Sequence, residues 1–190
     1  MSAADDLELP EAPKDPTQKR AALLVSLLAM ILAVASLGGG NAAKDAAHYN
    51  LLAANAYAFY QAKNIRQTEY KIAADAMKAQ LSQPQLPAPT RAFIEGRVAE
   101  YERNIKRYES EPETSEGKKE LMAAAKGHER ERDTAMARDP WFDYAEALLQ
   151  IAIVLTSVAI IAGTPALFAG ALVLGGLGSL CTLNGFLLLV

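Results

Sequence analysis

Cysteine is almost missing from this sequence: Cys181 is the only one in 190 residues, so no intrachain disulfide and no cysteine-based metal motif can form. Histidine is nearly as scarce. His48 and His128 stand alone, without a second histidine or carboxylate at helical metal spacing, and the HERERD string that begins at His128 lacks the paired histidines of a zinc-protease signature. Both read as parts of a solvated helix face. No glycine-rich loop follows a strand, because Gly175, Gly176 and Gly178 sit inside an apolar run, so a phosphate cradle is excluded. Charge of one sign is lacking too: the formal net charge is -3, and bases alternate with acids, which leaves no basic footprint for nucleic acid. The expectation is a non-enzymatic protein with no cofactor, no metal and no nucleic-acid partner.

What is present is segregation. Ala21 to Leu37 carries no charge, and Gly38 to Gly40 extend it to the roughly 20 residues that cross a ~30 Å hydrocarbon core. Between Tyr144 and Val190 the only charged side chain is Glu146, and Gly163, Thr164 and Pro165 divide that long stretch into two spans. Asp139 is read as a helix cap, Pro140 as the first turn of the second span, and Trp141, Phe142 and Tyr144 as a headgroup cluster. The acidic, proline-containing start (DDLELPEAPKDP) is unlike a signal peptide, so the first span is read as retained. The partition is a polar leader over 1–20, a first transmembrane helix over 21–40, a helical stalk over 41–139, and further transmembrane helices over 140–163 and 164–190. The fold class is all-α: an integral membrane protein whose stalk is antiparallel and coiled-coil-like.

Within the stalk, turn clusters at 82–90 and 109–117 delimit three helices near 41–81, 91–108 and 118–138. Ile94, Val98, Tyr101, Ile105 and Tyr108 form a heptad seam. The stripe Ala47, Leu51, Ala54, Ala58, Ile65 and Ile72 is its expected antiparallel partner. About 40 helical residues reach roughly 60 Å, and the two shorter helices end to end return the same distance. Small residues at Ala22, Ser26, Ala29, Ala33, Ser36, Gly40, Ala43 and Ala47 keep a three-four spacing. Gly38 to Gly40 therefore admit two readings: close packing in a continuous helix, or a flexible break.

Membrane helices associate through small residues that let backbones approach. Ala171, Gly175, Gly178, Thr182 and Gly185 form such a face on the third span, and Ala145, Ala152, Thr156, Ala159 and Gly163 on the second, serving the three-span bundle or contacts between protomers. The intramembrane polar residues Glu146, Gln150 and Asn184 are read as anchors and interhelical hydrogen-bonding groups. In NAYAFYQAKNIRQTEYK, residues 55–71, aromatic and basic side chains exceed what a two-helix seam can hide. Tyr57, Phe59, Tyr60, Lys63 and Arg66 are the expected partner-binding residues.

Tyr60-Gln61-Ala62-Lys63 followed by Ile65 and Gln67, together with FDYAEALLQIAIVLTSVAII from Phe142 to Ile161, resembles an uncharacterised family of bacterial membrane proteins, a domain of unknown function. The resemblance implies one N-terminal span, a charged helical middle and a C-terminal pair, and brings no activity or catalytic residues. It implies a bacterial membrane protein, and the expected location is the inner membrane. Discounting the basic residues of the long stalk against Lys14, Lys19 and Arg20 of the leader puts the N-terminus in the cytoplasm and the stalk outside it. The functional expectation is a structural or accessory subunit in the bilayer, a homo-oligomer or part of a larger membrane complex, with the stalk as docking element. The alternative is an oligomeric pore or transport-associated protein.

Overall fold

The computed structural model describes residues 16–189; the expected leader, up to residue 15, lies outside the described residues. Those residues form four helices and no strand: α1 (Pro16–Leu81), α2 (Ala88–Glu109), α3 (Lys118–Ala162) and α4 (Pro165–Leu187). α1, α3 and α4 are each long and apolar enough to cross a membrane.

Two boundaries expected from the sequence are absent. α1 runs unbroken through Gly38, Gly39 and Gly40, so the flexible-break reading does not hold. α3 likewise continues through Asp139 and Pro140, which lie inside the helix instead of capping a new one. An interior proline forfeits a backbone hydrogen bond and typically costs about 3 kcal/mol. Here the exposed Pro140 is bracketed by Ala135 and Phe142, at 5% and 1% exposure, so burial on both sides offsets that local loss.

The chain divides into two compact units, Met1–Lys44 with Thr134–Val190, and Asp45–Asp133. In the first, α1 buries Ala21, Leu28, Ala35 and Ala42, one every seven residues. The last three meet Phe142, Ala145, Leu149 and Ala152 of α3, with Leu174 and Cys181 of α4 packed against the cluster. The outward surface is apolar: Leu23, Met30, Leu37, Val154, Ile161, Val173 and Leu180 are all well exposed. Water would penalise such a surface, whereas lipid accepts it. The small-residue series Ala22, Ser26, Ala29, Ala33, Ser36 and Gly40 also faces outward, so it does not supply the packing seam that its spacing suggested.

α3 ends and α4 begins at a tight turn. Gly163 takes the left-handed conformation, φ 59°, and the Thr164 amide donates to the Ala159 carbonyl at 3.3 Å. This is the Schellman ending, and Pro165 then opens the next helix with a fixed φ and no amide to satisfy.

In the second unit α1 lies antiparallel to α2 and then to the first part of α3. Lys78 pairs with Glu102 at 2.8 Å and Gln67 bonds Glu109 at 2.9 Å, while nearer its start Tyr57 bonds Glu129 at 3.1 Å. The α2 seam faces inward, with Ile94 and Tyr108 buried and Val98, Tyr101 and Ile105 half-buried. Its expected partner stripe does not. Ala47, Leu51, Ala54, Ala58, Ile65 and Ile72 are all exposed, and α1 instead turns inward the face Ala53, Ala56, Tyr60, Lys63, Gln67, Tyr70, Ala74 and Met77. That face also steps by three and four. It wins because aromatic rings and an amide engage the tyrosines and carboxylates that α2 and α3 present, which the aliphatic stripe cannot do.

Candidate functional site

The five residues expected to bind a partner lie on three consecutive turns of α1, and they divide by role. Tyr57 is half-buried and donates its hydroxyl to Glu129. That hydrogen bond to a carboxylate holds the phenol above its ordinary pKa, with burial adding to it. Tyr60 is half-buried beneath Lys118, whose Nζ lies 5.7 Å from the ring centre. Lys63 donates to Glu116 Oε2 at 3.1 Å and lies 5.4 Å from the Tyr108 ring centre. These three therefore join α1 to its neighbours within the chain.

Phe59 and Arg66 point outward. Phe59 is 63% exposed, and Arg66 is exposed with no carboxylate partner among the described residues. Together with Ala62, Lys63, Glu116 and Leu121 they line a groove of about 460 Å³. Arg66 also borders a second hollow of about 410 Å³ floored by Tyr70, Tyr101 and Tyr108. Its guanidinium is thus the divider between an aliphatic-aromatic groove and a tyrosine-lined one.

The residue that organises this region is Gln67, which belongs to the Tyr60 to Gln67 stretch that carries the resemblance but is not among the site residues expected from the sequence. It is 2% exposed. Its Nε2 donates to the Ile105 carbonyl and to Glu109 Oε2, both at 2.9 Å, while its Oε1 accepts from Lys118 at 2.9 Å and Lys71 at 3.3 Å. Lys118 in turn pairs with Glu109 at 3.3 Å. The Gln67 amide and then Lys118 hold the Glu109 carboxyl below the usual glutamate range. One amide thereby ties α1, α2 and α3 together. The signal that could have found it is its place on the inward three-four series between Lys63 and Tyr70.

Beside the clamp, the Tyr70 ring lies 5.6 Å from Tyr101 and 5.7 Å from Tyr108. Arg97 covers Tyr101 at 4.9 Å and Arg107 covers Tyr108 at 5.4 Å. In the turn before α3, Ser110 donates to Glu120 Oε1 at 2.6 Å and the Glu111 amide to Glu120 Oε2 at 3.1 Å, which lowers the Glu120 pKa. These contacts fix the wall of the groove that carries Glu116.

In the other unit, Ala171, Gly175, Gly178, Thr182 and Gly185 are all buried against the same chain. A β-carbon on Gly175 would lie 2.6 Å from Leu28, one on Gly178 2.8 Å from Leu149, and one on Gly185 2.7 Å from Phe142. Phe142 occupies the space that a β-carbon on Gly38 would need as well. The face is thus filled by three large side chains of α1 and α3. Of the polar trio, Glu146 is half-buried, Gln150 is exposed, and Asn184 ends α4 by accepting the Leu189 amide at 2.8 Å on Oδ1. Among the described residues no group of His, Cys, Asp and Glu could hold a metal ion.

No curated protein and no solved structure matches the chain. The family described as Domain of unknown function (DUF4337) matches residues 17–188, nearly the whole sequence, and both stretches that carried the resemblance fall inside it. The residues that close the fold, Gln67 and Phe142, lie in those two stretches, and the chain belongs to the DUF4337 family.

Proposed function

We propose that this protein is a non-enzymatic accessory subunit of a bacterial inner-membrane assembly, held in the bilayer by α1, α3 and α4, with the region around Arg66 as its docking element. One observation carries the reading: an unpaired, exposed guanidinium beside an exposed Phe59, with a groove on either side. Arginine and aromatic anchors dominate interface energies because they combine apolar area with directional donors. The surrounding residues are already engaged with one another, which supplies a preformed site and lowers the ordering cost of binding. The occupant this chemistry suits is a protein segment with an apolar side chain for the Phe59 groove and a carboxylate for Arg66.

The transport alternative draws less support. Its polar candidates are divided between two helices, and Asn184 is engaged as a helix ending. Affinity purification from gently solubilised membranes tests the proposal. Arg66→Ala and Phe59→Ala should each lose copurifying protein at least tenfold while membrane insertion and helix content stay unchanged, and full retention by both would refute it.

A further inference from the structure

Every position of the outer heptad on the stalk part of α1 is exposed. Leu51, Ala58, Ile65 and Ile72 follow one another at intervals of seven, with Ala47, Ala54, Gln61 and Thr68 set four residues ahead of each. Leu51, Ile65 and Ile72 leave 59%, 60% and 65% of their surfaces uncovered. The inner face of the same helix has already satisfied α2 and α3, so nothing within this unit explains the second pattern. A straight helix needs a period near 3.6; a strict seven-residue repeat is the signature of supercoiling against another helix.

We propose that this face pairs with the same face of a second copy of the chain, forming a parallel, in-register coiled coil from residue 47 to residue 72. The proposal rests on the membrane reading above for its direction. Two copies inserted the same way present their α1 helices parallel. Three further observations favour an identical partner. Gln61 and Thr68 are polar positions of the seam, and in a parallel, in-register pair each meets its own copy, where the two can hydrogen-bond, so that other registers are disfavoured. Between residues 47 and 72 the seam carries no charged side chain, and along its flanks Asn50 meets Asn55, Tyr57 meets Ala62 and Asn64 meets Glu69, so identical helices bring no like charges together there; the next seam position, Asp75, would face its own copy and marks where the pairing ends. The aliphatic and alanine side chains of the stripe expose on the order of 500 Å² per chain, so pairing withdraws about 1,000 Å², the size at which an interface becomes specific. Phe59, Lys63 and Arg66 lie off this seam, so dimerisation leaves the docking groove open.

Disulfide trapping in native membranes tests the pairing. In a Cys181→Ser background, Ala58→Cys and Ile65→Cys should each give a covalent dimer on copper-phenanthroline oxidation, at least tenfold more than Arg103→Cys on the exposed side of α2. Equal trapping at Arg103→Cys, no trapping at either seam position, or adducts of a mass other than two chains would overturn it. Ile65→Glu, which sets like charges across the seam without disturbing a buried residue, should reduce the native mass in detergent from two chains to one; an unchanged mass would overturn the proposal equally. Retention of copurifying protein by Ile65→Glu, read against its loss in Arg66→Ala, keeps this result separate from the docking reading. Sedimentation of the same samples with membranes reports anchoring independently.

Discussion

The Phe142 ring lies where a β-carbon on Gly38 would have to be, and the same ring atoms take the place of a β-carbon on Gly185. One aromatic side chain on α3 therefore sets the approach of both α1 and α4, and it does so where α1 gives up helix propensity to three successive glycines. In lipid, where helices lack a hydrophobic drive toward one another, interlocking of this kind is the main source of cohesion. Overpacking at Gly38 should be felt directly. Gly38→Ala is expected to destabilise the unit by about 1–3 kcal/mol and Phe142→Ala by about 3–5 kcal/mol. The double variant should lose less than the sum, because the smaller residue at 142 leaves room for the added methyl. Denaturant unfolding in detergent micelles measures the coupling, and strict additivity would show that the two residues do not interact.

The Gln67 clamp makes a second prediction. Gln67→Leu keeps the volume but leaves the Ile105 carbonyl, Glu109 and Lys118 without their shared amide. The loss should be about 1–3 kcal/mol, the range for leaving buried polar partners unsatisfied. Ser82→Ala, just past the end of α1, removes only an exposed bond back to Lys78 and should stay within about 0.5 kcal/mol. Thermal melts followed by circular dichroism compare the two, and similar melts would mean that burial of Gln67 contributes shape without bonding.

Two carboxylates give the second unit an acid-side dependence. Glu109 and Glu120 both titrate below the ordinary glutamate value of 4.5, the first through Gln67 and Lys118, the second through Ser110 and the Glu111 amide. A depressed folded pKa means that the unfolded chain takes up protons first on acidification. Their contribution is therefore complete above about pH 4.5 and disappears as the pH falls through the folded values. Melting temperatures between pH 7 and pH 3 should drop most steeply below 4.5, and Glu109→Gln with Glu120→Gln should flatten that drop. An equal slope in the double variant would assign the acid sensitivity elsewhere.

How much of this was legible in the sequence differs by level. Three helices long and apolar enough to cross a membrane were, because long uncharged runs stand out in any sequence, and so was the α2 seam, since Ile94 and Tyr108 lie on one clear heptad. The partner face on α1 was not. Two three-four series coexist on that helix, and the more aliphatic one, through Leu51, Ile65 and Ile72, was the natural choice for an interior. Only the structure shows that Tyr60, Gln67 and Tyr70 turn inward, because their partners Lys118, Ile105 and Tyr108 come from segments that sequence spacing cannot align. Pro140 misled for a related reason. As a local signal it starts helices, and the burial of Ala135 and Phe142 that overrides it is a tertiary effect.

The turn at Gly163 offers the cleanest backbone test. Its φ of 59° is one that a side chain disfavours, yet a β-carbon there would meet nothing within 4 Å, so packing plays no part. Gly163→Ala should therefore cost about 1 kcal/mol from conformation alone, in keeping with the left-handed preference of glycine. A β-branched residue should cost more, since its χ1 freedom is restricted as well, and Gly163→Asn should cost least because asparagine tolerates this region. The order Asn, Ala, Val in rising cost, measured as unfolding in micelles, is the expected result. If all three variants fell together instead, the turn would be held by contacts with its surroundings, and the Schellman bond from Thr164 to Ala159 would not be what joins α3 to α4.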